Sequence, residues 1–510
     1  MLRRLLIVGL SLSLIVGGTV AQEETDPVRV FYDISAPGDV YAYTLNADNT
    51  LTDLGQIGSL GENWAGMRDH YRVSDEIVLA YLATDTTSGL YHLSPAGMTR
   101  LDIPEELVSA SVISRFDVSA FRYPYIALIP VISEDTTFES ATDVTSPVII
   151  NVETTEVTVL PRTVDKFNGY YVVRFAADPT IVRYAFRENV NGGYTLDGFA
   201  VDGVAEYNLA TDEDVLIYEA DDTSEFAIFF PNPDGSFWLH DREDFAPAHL
   251  IDLDGNITEI VPFEDTFSAI YGSNRVTFPA DCVDFTCVVT VAPLDSAEPF
   301  DVEMLPLGEF FGVFDLWPIS DEISMMGMET ATSGSAYMAL ASGSVNDFAF
   351  HFVRVAAGED PGLIGIVPND LPQDGDSFTS DGRYALLFDD PNSTTLRFVD
   401  TYTNTDLYTS DSIAGGYSWG VFSNGFTFTT LDGTGTGNMT VVYHDETGNL
   451  QVGATIGEVI DILPDDRYAL ATLDSILIFD GNGQQIAEVP ANGTPIISRE
   501  AENFLLYVGQ

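Results

Sequence analysis

A short turn phrase recurs along this chain, and its spacing limits the folds that the chain can adopt. The phrase places Asp or Asn beside Gly or a second Asp, then an aromatic residue and an apolar run. Its clearest copies are Ser380-Asp381-Gly382-Arg383-Tyr384 and Leu463-Pro464-Asp465-Asp466-Arg467-Tyr468. A weaker copy, Ser423-Asn424-Gly425-Phe426, lies between them, so successive copies stand about forty residues apart. The chain is therefore built from repeated units of that length.

An interval of about forty residues is the length of one four-stranded propeller blade. The unit at 464–489 reads as a turn, two short apolar strands, a Gly481-Asn482-Gly483 hairpin and a further strand. Runs of β-branched and aromatic residues between Gly, Pro, Asn and Asp clusters continue through the chain, with almost no helical periodicity. We predict an all-β fold, a β-propeller of four-stranded antiparallel blades. A further copy stands at 233–237 and a weaker one at 74–77, and the wider intervals each accommodate two degenerate units. This count reaches ten units, and insertions would reduce it to seven or eight blades.

Segments near the two ends of the chain supply complementary pieces of one blade. Val40 to Leu45 and Leu51 to Leu54 read as a hairpin, whereas Ile496 to Ser498 and Phe504 to Val508 read as strands without an outer hairpin. Closure removes exposed sheet edges, so we predict a blade shared between the N- and C-termini. The propeller domain is predicted at 28–510, and this length also admits two fused propellers.

The units at 380–388 and 464–489 resemble the WD-like and Tol-type β-propeller repeats of exported bacterial proteins. In those repeats a Ser-Pro-Asp-Gly-like turn precedes the second strand. The resemblance extends over most of residues 28–510 in the type of turn, and it is close in these two units alone. It implies a scaffold and not a particular chemistry.

Residues 1–21 have the form of a secretory signal peptide. Arg3 and Arg4 precede an apolar stretch from Leu5 to Val16, and small residues end the segment at Ala21. Residues 22–27 are expected to be a short flexible segment. The apolar stretch is too short to span a bilayer comfortably, and no comparable run follows, so we expect no membrane insertion. The sequence predicts a secreted, periplasmic or cell-surface protein.

The charge is strongly negative, with 79 acidic residues, 20 Lys and Arg residues and a formal net charge of −59. A field of this sign repels nucleic acid and anionic membrane surfaces. Cationic partners, divalent ions or a salty medium suit it better, and the same carboxylates also serve solubility. We expect a monomer.

Cys282 and Cys287 are the two cysteines of the chain, separated by four residues. An exported protein favours a disulfide between them. A zinc site would need two further ligands, and no histidine lies near in sequence, so we predict the disulfide.

No constellation of residues reaches the specificity of an active site. Gly416-Tyr417-Ser418-Trp419-Gly420 matches the G-x-S-x-G pattern of serine hydrolases, but alternating residues follow it where a nucleophile elbow needs a helix. We therefore predict a propeller strand there. The six histidines are scattered, and the turns at 252–256 and 374–376 lack the spaced ligands of a calcium-binding loop. We predict no catalytic, cofactor-binding or metal-binding residues, and leave weak calcium binding open.

The fold, the signal peptide and the lack of a catalytic pattern favour a non-catalytic binding module. It would recognise a protein or peptide through the loops at the propeller rim. One alternative is a glycan-active hydrolase or lyase with carboxylates over the central channel, which would show convergent buried carboxylates with raised pKa values. The other is a structural component of the cell envelope.

Overall fold

A computed structural model describes the chain over a series of ranges. They are 29–35, 37–61, 64–84, 88–108, 113–132, 144–165, 173–176, 178–187, 200–219, 227–231, 237–241, 247–251, 256–259, 267–271, 274–278, 288–293, 300–303, 309–320, 323–331, 348–356, 362–368, 384–388, 395–400, 403, 405–410, 417–422, 424–431, 438–445, 447–455, 457–463, 465–472, 475–490, 494–495 and 499–500. The predicted signal peptide at 1–21 and the segment at 22–27 lie outside them.

Within these ranges the chain forms β-strands and one short 3-10 helix, Glu105–Leu107. The strands of the first half are β1 Arg29–Ser35, β2 Asp39–Leu45, β3 Leu51–Ser59, β4 Trp64–Arg72, β5 Val78–Thr84, β6 Ser88–Ser94, β7 Gly97–Arg100, β8 Ile113–Arg122, β9 Tyr125–Ile132, β10 Val144–Thr145, β11 Val148–Asn151, β12 Val157–Val159, β13 Val164–Asp165, β14 Val173–Phe175, β15 Ile181–Phe186, β16 Ala200–Val201, β17 Gly203–Asn208, β18 Glu213–Glu219, β19 Ala227–Pro231, β20 Phe237–Asp241, β21 Pro247–Ile251 and β22 Ile257–Glu259.

The strands of the second half are β23 Phe267–Tyr271, β24 Asn274–Phe278, β25 Val288–Pro293, β26 Phe300–Glu303, β27 Glu309–Ser320, β28 Ile323–Ala331, β29 Phe348–Ala356, β30 Gly362–Pro368, β31 Tyr384–Phe388, β32 Leu396–Asp400, β33 Thr405–Ser410, β34 Tyr417–Phe422, β35 Gly425–Leu431, β36 Asn438–His444, β37 Asn449–Thr455, β38 Glu458–Ile462, β39 Tyr468–Ala471, β40 Ser475–Phe479, β41 Gln485–Pro490, β42 Thr494–Pro495 and β43 Arg499–Glu500.

Strands that follow one another in the chain pair into separate antiparallel sheets. The orders β34-β35-β36-β37 and β38-β39-β40-β41 are typical, and most of the sheets have four strands. A seven-stranded sheet runs from β27 to β33, but β30 and β31 join it through the one described pair Ile366↔Phe388. That sheet therefore reads as two consecutive units.

The core lies between the faces of neighbouring sheets. Val30 and Tyr32 of β1 pack against Val78 and Ala80 of β5, and similar buried clusters join the sheets that follow. All seven residues of β1 are buried, because the sheet has neighbours on both faces. Full burial of one large apolar side chain contributes roughly 1.5–3 kcal/mol, so each of these interfaces is strongly stabilising.

Sheet-to-sheet packing and the pairing of the chain ends define the fold class. β8 contacts β4 of the preceding sheet and β14 of the following one, and an apolar cluster links the last sheet, β38 to β41, back to β1 and β2. β42 pairs with β1, so the two ends of the chain share a sheet as predicted. The chain is a β-propeller.

The shared sheet uses slightly different residues from those that the sequence indicated. Thr494 and Pro495 pair with β1, and β43 pairs in parallel with β4. The segments predicted as strands, 496–498 and 504–508, lie outside the described residues. The number of blades, seven to ten, and the domain boundaries stay predictions.

Candidate functional site

The two ends of the sheets differ in the connections that they carry. In an antiparallel sheet, successive connections alternate between the two ends, so the turns from first to second and from third to fourth strand share one end. Cross-sheet bonds align these ends: Arg467 after β38 donates to Asn49 Oδ1 after β2 at 3.0 Å, and Thr447 after β36 donates to Asp466 Oδ1 at 2.5 Å. We call this end the hairpin face and the opposite end the loop face.

Three turns on the hairpin face repeat one backbone geometry. Each is closed by a hydrogen bond from the fifth residue to the first, namely from Thr155 N to Asn151 O, from Asp212 N to Asn208 O and from Gly448 N to His444 O. The fifth residue has a φ of 63°, 57° and 65°, respectively. This repeat has no sequence signature, because glycine occupies the left-handed position in one copy of the three.

Side chains in these turns bond to their own backbone. Asn151 Oδ1 accepts from Glu153 N at 3.0 Å and from Thr154 N at 3.1 Å, and Asn208 Oδ1 accepts from the corresponding amides of its turn. Such local bonds satisfy polar groups that a ligand would otherwise engage. These described turns of the hairpin face are thus self-bonded.

A buried ionic cluster joins three sheets where the propeller closes. Arg29, at the start of β1, binds both carboxylate oxygens of Asp461 at 3.0 and 3.1 Å and reaches Asp75 Oδ1 at 2.6 Å. Arg72 Nε lies 4.0 Å from the same Asp461, and its Nη2 donates to Val30 O. The side chains of Arg29 and Asp461 are 7% and 6% exposed, so the paired charges are almost completely desolvated. We call these four charged residues the closure cluster.

A second polar group lies between the last two sheets. The buried His444 places Nδ1 at 3.8 Å from Asp466 Oδ1. Burial lowers the pKa of His444, and the Asp466 carboxylate opposes this in part. Because the Thr447 hydroxyl donates directly to Asp466, these side chains do not form the nucleophile-to-histidine arrangement of a hydrolase. They hold the two turns together.

Buried tyrosines donate to carboxylates along the same face. Tyr184 OH donates to Asp214 Oδ1 at 2.7 Å, and Tyr384 OH donates to Asp445 Oδ1. Burial, and then the hydrogen bond to a carboxylate, raises the pKa of both tyrosines. These phenols stay neutral donors.

The carboxyl groups with resolved pKa shifts among the described residues all shift downward. The pKa of Asp48 is lowered by the Thr50 hydroxyl, that of Asp178 by the Thr180 amide and that of Asp480 by the Gln484 amide. All three carboxyls lie in exposed turns and are ordinary ionised acceptors. A glycosidase acid needs the opposite shift.

The loop face carries the long connections. Residues 123–124 join β8 to β9 on the hairpin face, whereas the stretches 133–147, 188–202, 279–287 and 332–347 join second to third strands on the loop face. These four stretches contain ten Asp or Glu residues and no Lys or Arg. These four second-to-third connections are therefore both long and uniformly negative.

The sequence-derived candidate residues have different outcomes. Ser418 lies inside β34 opposite Thr429 of β35, so the predicted strand is confirmed in place of a nucleophile elbow. Cys282 and Cys287 lie outside the described residues, as do 252–255 and 374–376, so the disulfide stays a prediction. Among the described residues, no three His, Cys, Asp or Glu side chains group to hold a metal ion. The described part of the chain has no helix long and apolar enough to cross a membrane.

Comparisons with known proteins support no assignment beyond the fold. No family model and no curated protein matches the chain. A prolyl endopeptidase structure matches at 10% identity and a TM-score of 0.39, over 82% of this chain and 55% of that chain. Oligogalacturonate lyase from Vibrio parahaemolyticus matches at 11% identity and a TM-score of 0.32, over 74% of this chain and 94% of the lyase chain. A chain of a nidogen/laminin complex matches at 12% identity and a TM-score of 0.20, over 53% of this chain and 91% of that chain.

These matches include β-propeller proteins. The chain spans about half the length of the prolyl endopeptidase and of oligopeptidase B from Leishmania major. Scores this low carry no argument about function. The specific Tol-type resemblance stays a prediction.

Proposed function

We propose that this propeller is an exported, non-catalytic recognition module that holds a protein or peptide against its loop face. The observation that carries the proposal is the unequal distribution of connections between the two faces. Described turns of the hairpin face are short and satisfy polar groups of their own backbone, and the loop face receives four long acidic stretches. A rigid frame with variable loops at one end suits recognition.

The partner should present positive charge. The four loop-face stretches lack Lys and Arg, so a basic protein surface gains attraction from all of them and an acidic one is repelled. The rival function, a glycan-active hydrolase or lyase, gains no support from the described carboxyls, whose resolved pKa shifts go downward.

The test is an affinity capture with residues 22–510 immobilised at native salt and exposed to envelope and culture-medium extract. A loop variant carries four neutral substitutions in one stretch: Glu134→Gln, Asp135→Asn, Glu139→Gln and Asp143→Asn. A control variant removes four charges from the hairpin face: Glu76→Gln, Glu153→Gln, Glu156→Gln and Glu213→Gln. The charge change is the same in both.

One stoichiometric protein that binds the parent and the control variant and is weakened on the loop variant supports the proposal. If the captured protein binds both variants equally weakly, the loss of binding follows from net charge and not from the loop face. Capture of glycan without protein would favour the lyase or hydrolase instead.

A further inference from the structure

The outer strand of each propeller sheet leaves one row of backbone groups facing away from the ladder. Proteins blunt such edges with bulges, charged residues or very short strands, because a regular edge is a template for another chain. Five described outer strands have six or more residues, namely β3, β18, β33, β37 and β41. The register of four of them against the neighbouring strand is interrupted by a β-bulge or irregularity.

β37 is the exception. Its register with β36 runs without interruption from His444↔Asn449 to Asn438↔Thr455. Its sequence, Asn-Leu-Gln-Val-Gly-Ala-Thr, has no charged residue. Val452 is 44% exposed, and Gly453 and Ala454 are exposed. Within the described residues, β37 is thus a seven-residue edge strand without a bulge, a charged residue or a proline.

An apolar strip lies beside this edge. Met439 of β36 is 44% exposed and pairs with Ala454, so these two side chains share the sheet face on which Val441 and Val452 also pair. Tyr408 of β33, in the preceding sheet, places its hydroxyl 3.3 Å from Met439 Sδ. The apolar strip consists of Val452, Met439 and Tyr408, and a strand added to β37 would place alternate side chains beside Val452, the member of the strip at the edge.

The charges around β37 select the occupant. Two copies of the chain repel each other because each carries a formal net charge of −59, which disfavours pairing between two β37 edges. Two carboxylates lie near the end where β37 begins. Asp465 is 74% exposed and lies 3.9 Å from Arg467. Asn449 donates to Gly481 O in the turn whose amides bind the Asp480 carboxylate. A peptide with Lys or Arg at that end and apolar residues beyond it is complementary to both features.

We propose that the edge of β37 is a peptide-binding site, which takes an extended segment of a partner protein as a fifth strand. Alternate apolar or β-branched side chains of the segment lie on the strip, and a basic residue at its end faces the carboxylates of Asp465 and Asp480. The site lies on the outer edge of the sheet and shares no residue with the loop face, so it is independent of the function proposed above.

The experiment selects random twelve-residue peptides, displayed on phage, against residues 22–510. Binding of the selected peptides is measured on the parent, on Val452→Lys and on the control Val215→Lys. Val215 is 47% exposed and lies on β18, an outer strand whose register is interrupted. Both substitutions add the same charge at an exposed position, and melting curves confirm that each variant is folded.

The expected peptides carry Lys or Arg beside alternating β-branched residues. We expect Val452→Lys to weaken their binding at least about tenfold and Val215→Lys to leave it unchanged. Amide hydrogen exchange within 449–455 should slow when a peptide binds. Failure to enrich any peptide, or equal binding to the parent and Val452→Lys, would overturn the edge site. If the peptides bind the parent and Val452→Lys equally but do not bind the loop variant defined above, they bind the loop face instead.

Discussion

Substituting Arg29 with Met tests whether the closure cluster stabilises the propeller through paired, desolvated charges. The substitution removes both bonds to Asp461 and leaves that carboxylate, 6% exposed, with Arg72 Nε at 4.0 Å. Removing one partner of a buried ion pair costs about 3–5 kcal/mol. We expect the free energy of unfolding of Arg29→Met to fall by that amount, measured by urea titration with tryptophan fluorescence.

The matched control is Arg397→Met. Arg397 also forms a two-pronged pair, with Asp406 at 2.6 Å, but the two side chains are 21% and 42% exposed. An exposed pair contributes at most about 1 kcal/mol. In the double variant Arg29→Met/Asp461→Leu, part of the lost stability should return, because the buried Asp461 carboxylate is removed and Arg72 keeps its backbone acceptors Asp75 O and Val30 O. Equal losses for Arg29→Met and Arg397→Met, or no recovery in the double variant, would refute the reasoning.

Three further predictions concern the turns and the closure. Thr155 has a φ of 63°, in the left-handed region that glycine adopts without strain. Thr155→Gly should therefore raise the free energy of unfolding by about 1 kcal/mol, whereas Thr154→Gly in the same turn should lower it by about 0.4–1 kcal/mol. Urea titrations that rank the two variants the other way would contradict this. Burial lowers the pKa of His444 below its ordinary value of 6.5, so the unfolded chain binds the proton more readily and stability falls as the pH drops below 6.5. His444→Gln should flatten that part of the stability profile, and an unchanged slope would assign it to other groups. Deleting residues 491–510 removes β42 and β43 and should lower the melting temperature sharply. Deleting residues 1–27 should leave the melting temperature unchanged. An unchanged melting curve for the C-terminal truncation would show that closure contributes little to stability.

Local signals in the sequence predicted the sheets well. The described residues of the unit at 464–489 fold as predicted because alternating apolar residues and the Gly481-Asn482-Gly483 hairpin act within a few residues of one another. The strand assigned to the G-x-S-x-G match was predictable for the same reason. Seven consecutive buried residues in β1, by contrast, follow from packing on both faces of the sheet, which a local pattern does not show.

The polar features depend on distant parts of the chain. Asp461 is one of 79 acidic residues, and nothing around it in the sequence indicates that it binds Arg29. The regular edge of β37 is equally hidden, because a bulge is a property of two paired strands and not of one segment. The turn at Thr155 has a left-handed residue that is not glycine, so the sequence does not indicate this backbone conformation.

The closure cluster has a consequence for the order in which this chain folds. Arg29 and Asp461 are separated by 432 positions, so their contact forms only after most of the polypeptide has been synthesised. Contacts of such long range slow folding. Until residue 461 and the paired segment at 494–495 are available, β1 lacks its last neighbour, and the first sheet to be made is among the last to be completed. In a chain that ends before that point, the side of β1 that pairs with 494–495 has no strand beside it.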